Sequence, residues 1–109
     1  MIHSIDVSAS EVVVGQPFSI EVQADSSVQV SVGCFVDKPP PPRFKGCNEC
    51  NVQVIQSGQP FTITPRADTW RNQEGGYKIK VTDADGNTEA VIVRVLGDAA
   101  AAGGAMMTM

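Results

Sequence analysis

Chemistry in this sequence would have to come from its sulfur and its carboxylates. It has three cysteines, Cys34, Cys47 and Cys50, and a single histidine, His3. All three thiols fall in one stretch, Cys34-Phe-Val-Asp-Lys-Pro-Pro-Pro-Pro-Arg-Phe-Lys-Gly-Cys47-Asn-Glu-Cys50. Cys47-Asn-Glu-Cys50 has the C-x-x-C spacing of a redox pair, which works when a helix N-terminus in a βαβ unit stabilises the thiolate. Neither pattern surrounds it. Adding His3 to the thiols would give a Cys3His zinc set, although nothing in the spacing recruits His3. Parity suggests a further reading. Cys34 continues the series Val28, Val30, Val32, and Cys50 shares its parity with Val52 and Val54. If both series face inward, a Cys34–Cys50 disulfide closes the base of the loop and leaves Cys47 odd, able to pair between chains. Closing such a loop stabilises by roughly 3 kcal/mol in the chain-entropy treatment. It requires an oxidising compartment and so favours a periplasmic or surface location. Reduced thiols with no role are the remaining alternative.

Other chemistry is sparse. Asp83, Asp85 and Asn87 offer clustered oxygens of the kind calcium takes, but Gly86 stands at the wrong offset for an EF-hand and a hairpin turn explains the run. His3 alone cannot serve a triad, and neither a G-x-S-x-G nor a phosphate-cradling glycine loop is present. The expectation is therefore no enzyme, no catalytic residue and no cofactor. Twelve acidic against eight basic residues give a formal charge of -4, a field that repels nucleic acid phosphate. No run of 18 apolar residues exists to span a bilayer, so membrane insertion is not expected.

The elements that must position these residues read as strands. At 109 residues and 42% hydrophobic composition, the chain makes one domain that needs neither metal nor disulfide to fold. Phe18, Ile20, Val22 and Ala24 alternate with Ser19, Glu21 and Gln23; Val28 to Val36 alternate likewise, and so do Tyr77, Ile79 and Val81 with Lys78 and Lys80. Period-two alternation gives each strand one buried and one wet face, as in antiparallel sheets packed together. Strands are expected near 2–8, 11–14, 17–24, 28–36, 51–56, 60–65, 76–83 and 88–96. Asp83-Ala-Asp-Gly-Asn87 is a hairpin turn. Val14-Gly-Gln-Pro-Phe-Ser-Ile20 is echoed by Ser57-Gly-Gln-Pro-Phe-Thr-Ile63, which reads as one turn solution used twice. In a seven-strand Greek key the two copies would be neighbouring strands of one sheet. The domain spans 1–97, and the small, aperiodic residues of 98–109 form a disordered tail or linker.

Glu11-Val-Val-Val-Gly-Gln-Pro-Phe-Ser-Ile-Glu-Val22 resembles the A′ to B segment of bacterial immunoglobulin-like domains. Glu74-Gly-Gly-Tyr-Lys-Ile-Lys-Val-Thr-Asp-Ala-Asp-Gly-Asn-Thr88 resembles their F strand and F–G hairpin. The resemblance covers residues 2 to about 96 and implies an all-β, two-sheet antiparallel immunoglobulin-like sandwich of seven to eight strands. It also places Tyr77 as a corner tyrosine whose hydroxyl ties back to nearby backbone. Ile20 and Ile79 stand where antibody domains carry cysteines, and Trp70 lies ahead of the F strand, where it would cap the core.

The tetraproline Pro39-Pro40-Pro41-Pro42 is stiff polyproline II. Together with Phe35, Lys38, Arg43 and Phe44 it is expected to form a projecting partner-binding arm, since rigid scaffolds carry binding residues on loops. The functional expectation is a non-enzymatic protein-binding or spacer module of a bacterial surface or virion protein. Its partner is another protein or other domains of the same polypeptide. Alternatives are a thiol-dependent metal or redox site at Cys34, Cys47 and Cys50, or an auxiliary subunit scaffolding an enzyme complex.

Overall fold

Among the described residues the chain forms nine short strands and one helical turn: β1 (Ile2–Val7), β2 (Glu11–Val12), β3 (Phe18–Ala24), β4 (Val28–Val36), β5 (Arg43–Lys45), β6 (Val52–Ile55), β7 (Phe61–Ile63), α1 (Ala67–Trp70), β8 (Gly75–Thr82) and β9 (Thr88–Val95). The structure, a computed structural model, describes residues 1–37, 41–47, 49–71 and 73–96. The expected tail at 98–109, and Lys38, Pro39 and Pro40 of the expected arm, lie outside the described residues.

The strands form two sheets. One has the order β1-β3-β7, and the other runs β2-β9-β8-β4-β5, with β6 also pairing β4. All pairs are antiparallel except the short parallel match of β2 with β9. Phe18, Ile20 and Val22 from the smaller sheet meet Val28, Val30, Val32, Ile79, Val81 and Val93 from the larger one in a single core. The expected two-layer, all-β organisation is what the chain adopts.

The sequence echo has a structural meaning. Its two copies lie side by side, with Phe18 opposite Ile63 and Ile20 opposite Phe61. Each strand is preceded by the same turn: Gly15 and Gly58 take φ of 87° and 79°, which glycine adopts without steric cost. Gln16 N–H donates to the Val13 carbonyl at 3.0 Å, and Gln59 N–H to that of Gln56 at 3.0 Å. The glutamine side chains then accept from the backbone N–H of Val13 and Gln56.

Two expectations fail locally. Arg43 and Phe44 of the expected projecting arm, with Lys45 after them, pair with β4 as a strand, Phe44 opposite Phe35. Parity on β6 is also reversed. Ile55 sits opposite Val28 and is buried, so Val52 and Val54 turn outward, 59% and 68% exposed. An isoleucine closing the core on that strand fixes the register, and a one-residue slip sends the valines to the other face.

Backbones approach most closely where β8 begins. A side-chain carbon on Gly75 would lie 1.9 Å from the Phe35 carbonyl oxygen, and one on Gly76 would lie 2.7 Å from that of Val93. Gly75→Ala should therefore destabilise by about 1–3 kcal/mol through overpacking, read as a lower urea midpoint. Gly46→Ala, which meets nothing within 4 Å, should leave that midpoint nearly unchanged.

Candidate functional site

Two regions hold the residues singled out above. The first is the outer face of the larger sheet. Because β4, β5, β6, β8 and β9 are in register, their outward side chains form rows across the sheet: Val52–Ser31–Lys80–Ala90, then Gly33–Lys78–Ile92, then Phe44–Phe35–Gly76–Arg94. Phe44 is 65% exposed and Ile92 50%. The Phe44 ring lies over Gly33, 3.8 Å from where a β-carbon would stand, and meets the Phe35 ring edge-on at 6.2 Å. Shallow depressions flank it, one of about 300 Å³ lined by Ser31, Gly33, Lys78 and Lys80. The other, about 210 Å³, is lined by Phe35, Pro42, Arg43, Lys78 and Ile92. The face is thus apolar with lysines across its middle, on a chain whose net charge is negative. Of the expected arm, Phe35, Pro42, Arg43 and Phe44 come together here. Pro41 is exposed beside them. Sequence reasoning missed Val52, Val54 and Ile92, because alternation marks two faces without saying which is covered.

The second region is the inner corner where β4 and β5 meet the turn that follows. The structure joins Cys47 to Cys50, with Cα atoms 5.3 Å apart, and leaves Cys34 as a buried thiol. This replaces the expected Cys34–Cys50 bridge. The reason is local: Cys50 lies in a turn rather than on an inward-facing strand position, and its N–H donates to the Cys47 carbonyl at 3.3 Å. Cys34 remains close, all three sulfur atoms lying within 4.8 Å of one another, and its thiol donates to the Lys45 carbonyl at 3.4 Å. Burial, reinforced by the negative charge of Glu49, pushes that thiol up to about 11, so it is a poor nucleophile at neutral pH. Those sulfurs could hold a metal. His3 cannot join them: it lies on β1 with Nε2 2.6 Å from an Asp25 carboxylate oxygen.

Between the cysteines and the core sits a carboxylate that sequence reasoning overlooked. Glu49, 8% exposed, accepts from the Tyr77 hydroxyl at 2.7 Å, from Thr69 Oγ1 at 2.8 Å and from the Arg66 backbone N–H at 3.1 Å. Trp70 Nε1–H donates to the same tyrosine oxygen at 3.1 Å, and the two rings meet edge-on. Tyr77 therefore ties to a side chain, not to the nearby backbone that the resemblance implies. Loss of water works against the Glu49 charge, but the Tyr77, Thr69 and Arg66 hydrogen bonds outweigh it and hold its carboxyl below the ordinary value. Burial, with Glu49 beside it, pushes the tyrosine hydroxyl up. Lys45 completes the corner, its ammonium donating to the Thr69 carbonyl and to Gln73 Oε1. A buried acid with its hydrogen bonds supplied in this way is a latch.

The oxygens at 83–87 serve the hairpin. Asp83 Oδ1 accepts from the N–H groups of Asp85 and Asn87, and Oδ2 accepts from Asn87 Nδ2. The turn thus accounts for the cluster that resembled a calcium loop. Among the described residues no helix is long and apolar enough to cross a membrane. The sequence matches neither a known protein-family model nor a curated protein.

Two measurements test the corner. Mapping of disulfide-linked peptides should recover Cys47 with Cys50, and Cys34 should react with iodoacetamide only after unfolding. Tyr77→Phe should cost about 1–3 kcal/mol, since it takes the shortest hydrogen bond from a buried carboxylate and leaves a buried indole N–H without its acceptor. Glu49 is also linked to pH. Because its carboxyl is lowered on folding, its contribution is present above the unfolded value of about 4.3 and fades as pH falls below it. Glu49→Gln should accordingly flatten the acid limb of the stability profile in chemical denaturation.

Proposed function

We propose that this chain is a non-enzymatic, immunoglobulin-like interaction module of a bacterial surface or virion protein, docking a partner protein on the outer face of its larger sheet. The observation that carries this reading is the apolar set Phe44, Val52, Val54 and Ile92, exposed together on one face and crossed by Lys78 and Lys80. Contiguous exposed apolar surface edged by polar groups marks interaction sites in proteins of this size, and an aromatic at the centre of such a patch is the usual energetic anchor. The lysines define the partner's chemistry. An acidic surface with apolar side chains satisfies both features, whereas two copies of this face would bring lysines against lysines. The immunoglobulin-like part rests on the sequence resemblance together with the two-layer, mostly antiparallel arrangement. Pro41, Pro42 and Arg43 of the expected arm edge this face beside Phe44 and Phe35.

Quantitative cross-linking in the cells that make the protein tests the reading. A partner protein captured by the wild type should be reduced at least about tenfold by Phe44→Ser and markedly by Lys78→Glu with Lys80→Glu. Thr62→Lys, on the opposite sheet, should leave capture unchanged. Equal capture by all variants would remove this face from the account.

A further inference from the structure

We propose that reduction of the Cys47–Cys50 disulfide turns the corner formed by Cys34, Cys47 and Cys50 into a three-thiolate site for one soft divalent cation of the zinc class. This site lies on the opposite side of the sheet from the outer face, because Cys34 points inward from β4 while Phe35 points outward.

Geometry is the first argument. Three sulfurs bound to one zinc-sized ion at about 2.3 Å and near-tetrahedral angles stand about 3.8 Å apart. The three sulfurs here already lie within 4.8 Å of one another, so side-chain rotation and a small turn movement suffice. Placement is the second. Cys34 is fixed on β4 between β5 and β8. Cys47 and Cys50 sit in a half-buried turn that can adjust. A disulfide alone needs two sulfurs, and the third, fully buried at the same point, makes a long bond to a backbone carbonyl. The remaining polar groups are engaged elsewhere: Glu49 with Tyr77, Thr69 and Arg66, and Lys45 with Thr69 and Gln73. Sulfur is therefore the donor set, and sulfur selects zinc-class ions over calcium or magnesium. The partial exposure of Cys47 and Cys50 leaves a fourth position for water. Three thiolates and a divalent ion carry a net single negative charge, with the Lys45 ammonium in the same corner.

The chemistry balances in two steps. A low-molecular-weight thiol reduces the bridge: two reductant thiols become one disulfide, and Cys47 and Cys50 regain their hydrogens. The ion then forms three metal–sulfur bonds and releases three protons to solvent, with no change in oxidation state. In reverse, a low-molecular-weight disulfide takes two electrons from the Cys47 and Cys50 sulfurs and leaves as two thiols, the Cys47–Cys50 bridge re-forms, Cys34 takes back a proton and the ion is released, so metal and disulfide are alternatives at one place.

The test uses the full chain, reduced and oxygen-free, titrated with Cd²⁺ and with Co²⁺ as spectroscopic stand-ins. One equivalent should bind, with sulfur-to-metal charge-transfer absorption of the strength of three thiolates and a tetrahedral cobalt spectrum. Cys34→Ala, which keeps the core apolar, should weaken binding at least about tenfold, and Cys47→Ser and Cys50→Ser should do the same. The oxidised chain should not bind. No binding by the reduced wild type, absorption equal to two thiolates, or unchanged affinity in Cys34→Ala would overturn the proposal. Should Cys34→Ala fail to fold by circular dichroism, the wild-type absorption strength and the Cys47 and Cys50 variants decide it.

Discussion

Val28, Val30, Val32, Cys34 and Val36 can all be buried together only if β4 stays extended for its full nine residues and is paired along both edges. That constraint organises the molecule. One edge goes entirely to β8, from Gln29 opposite Thr82 to Val36 opposite Gly75. The other is divided between β6 at its start and β5 at its end. The close approach at Gly75 and the outward rows of Phe44 and Val52 follow from that pairing. A side chain on β4 is either core or outer face, and changing its parity would exchange the two.

The division of that second edge explains the Glu49 latch. Between β5 and β6 the chain leaves the sheet, and backbone that leaves a ladder must find other partners. Glu49 sits in this gap, and its side chain reaches across to accept from the Arg66 N–H and the Thr69 hydroxyl ahead of β8. Its bond from Tyr77 ties the same point to β8 itself. One carboxylate thus joins three chain segments that share no strand pairing. Glu49 and Tyr77 form the corner as a pair: without the carboxylate the tyrosine hydroxyl has no buried acceptor of comparable strength, and without the tyrosine the charge loses its shortest hydrogen bond.

Much of the fold was legible in the residues themselves. The apolar series from Phe18, from Val28 and from Tyr77 lies buried as alternation requires, and the paired Gly-Gln-Pro-Phe turns announced two strands that lie side by side. What escaped the sequence was decided by competition between equally good local choices. Arg43-Phe-Lys45 is too short to show a period, and four prolines ahead of it outweighed its pairing tendency. Val52 and Val54 have the same β-forming character as Ile55, and only the space opposite Val28 settles which of them turns inward. Glu49 lies between cysteines in a segment read for its sulfur, and no local pattern marks an acid that will be buried by residues 17 to 28 positions later. For the cysteines, spacing placed them in one loop. Which two join depends on where the next strand begins, and it begins at Val52, after Cys50.

Strand β5 connects the two regions. Its three residues present Phe44 outward to the exposed face and Lys45 inward to the corner, where the lysine carbonyl accepts from Cys34 and its ammonium donates to Thr69 and Gln73. A three-residue strand has too few ladder bonds to hold its own position; inner-side contacts must hold it. The position of the principal exposed aromatic is accordingly set from beneath the sheet, by groups that never touch a partner. Substitutions at Lys45 and at Phe44 should then differ in kind: the first displaces the anchor while leaving its chemistry intact, and the second removes the chemistry while leaving the strand in place.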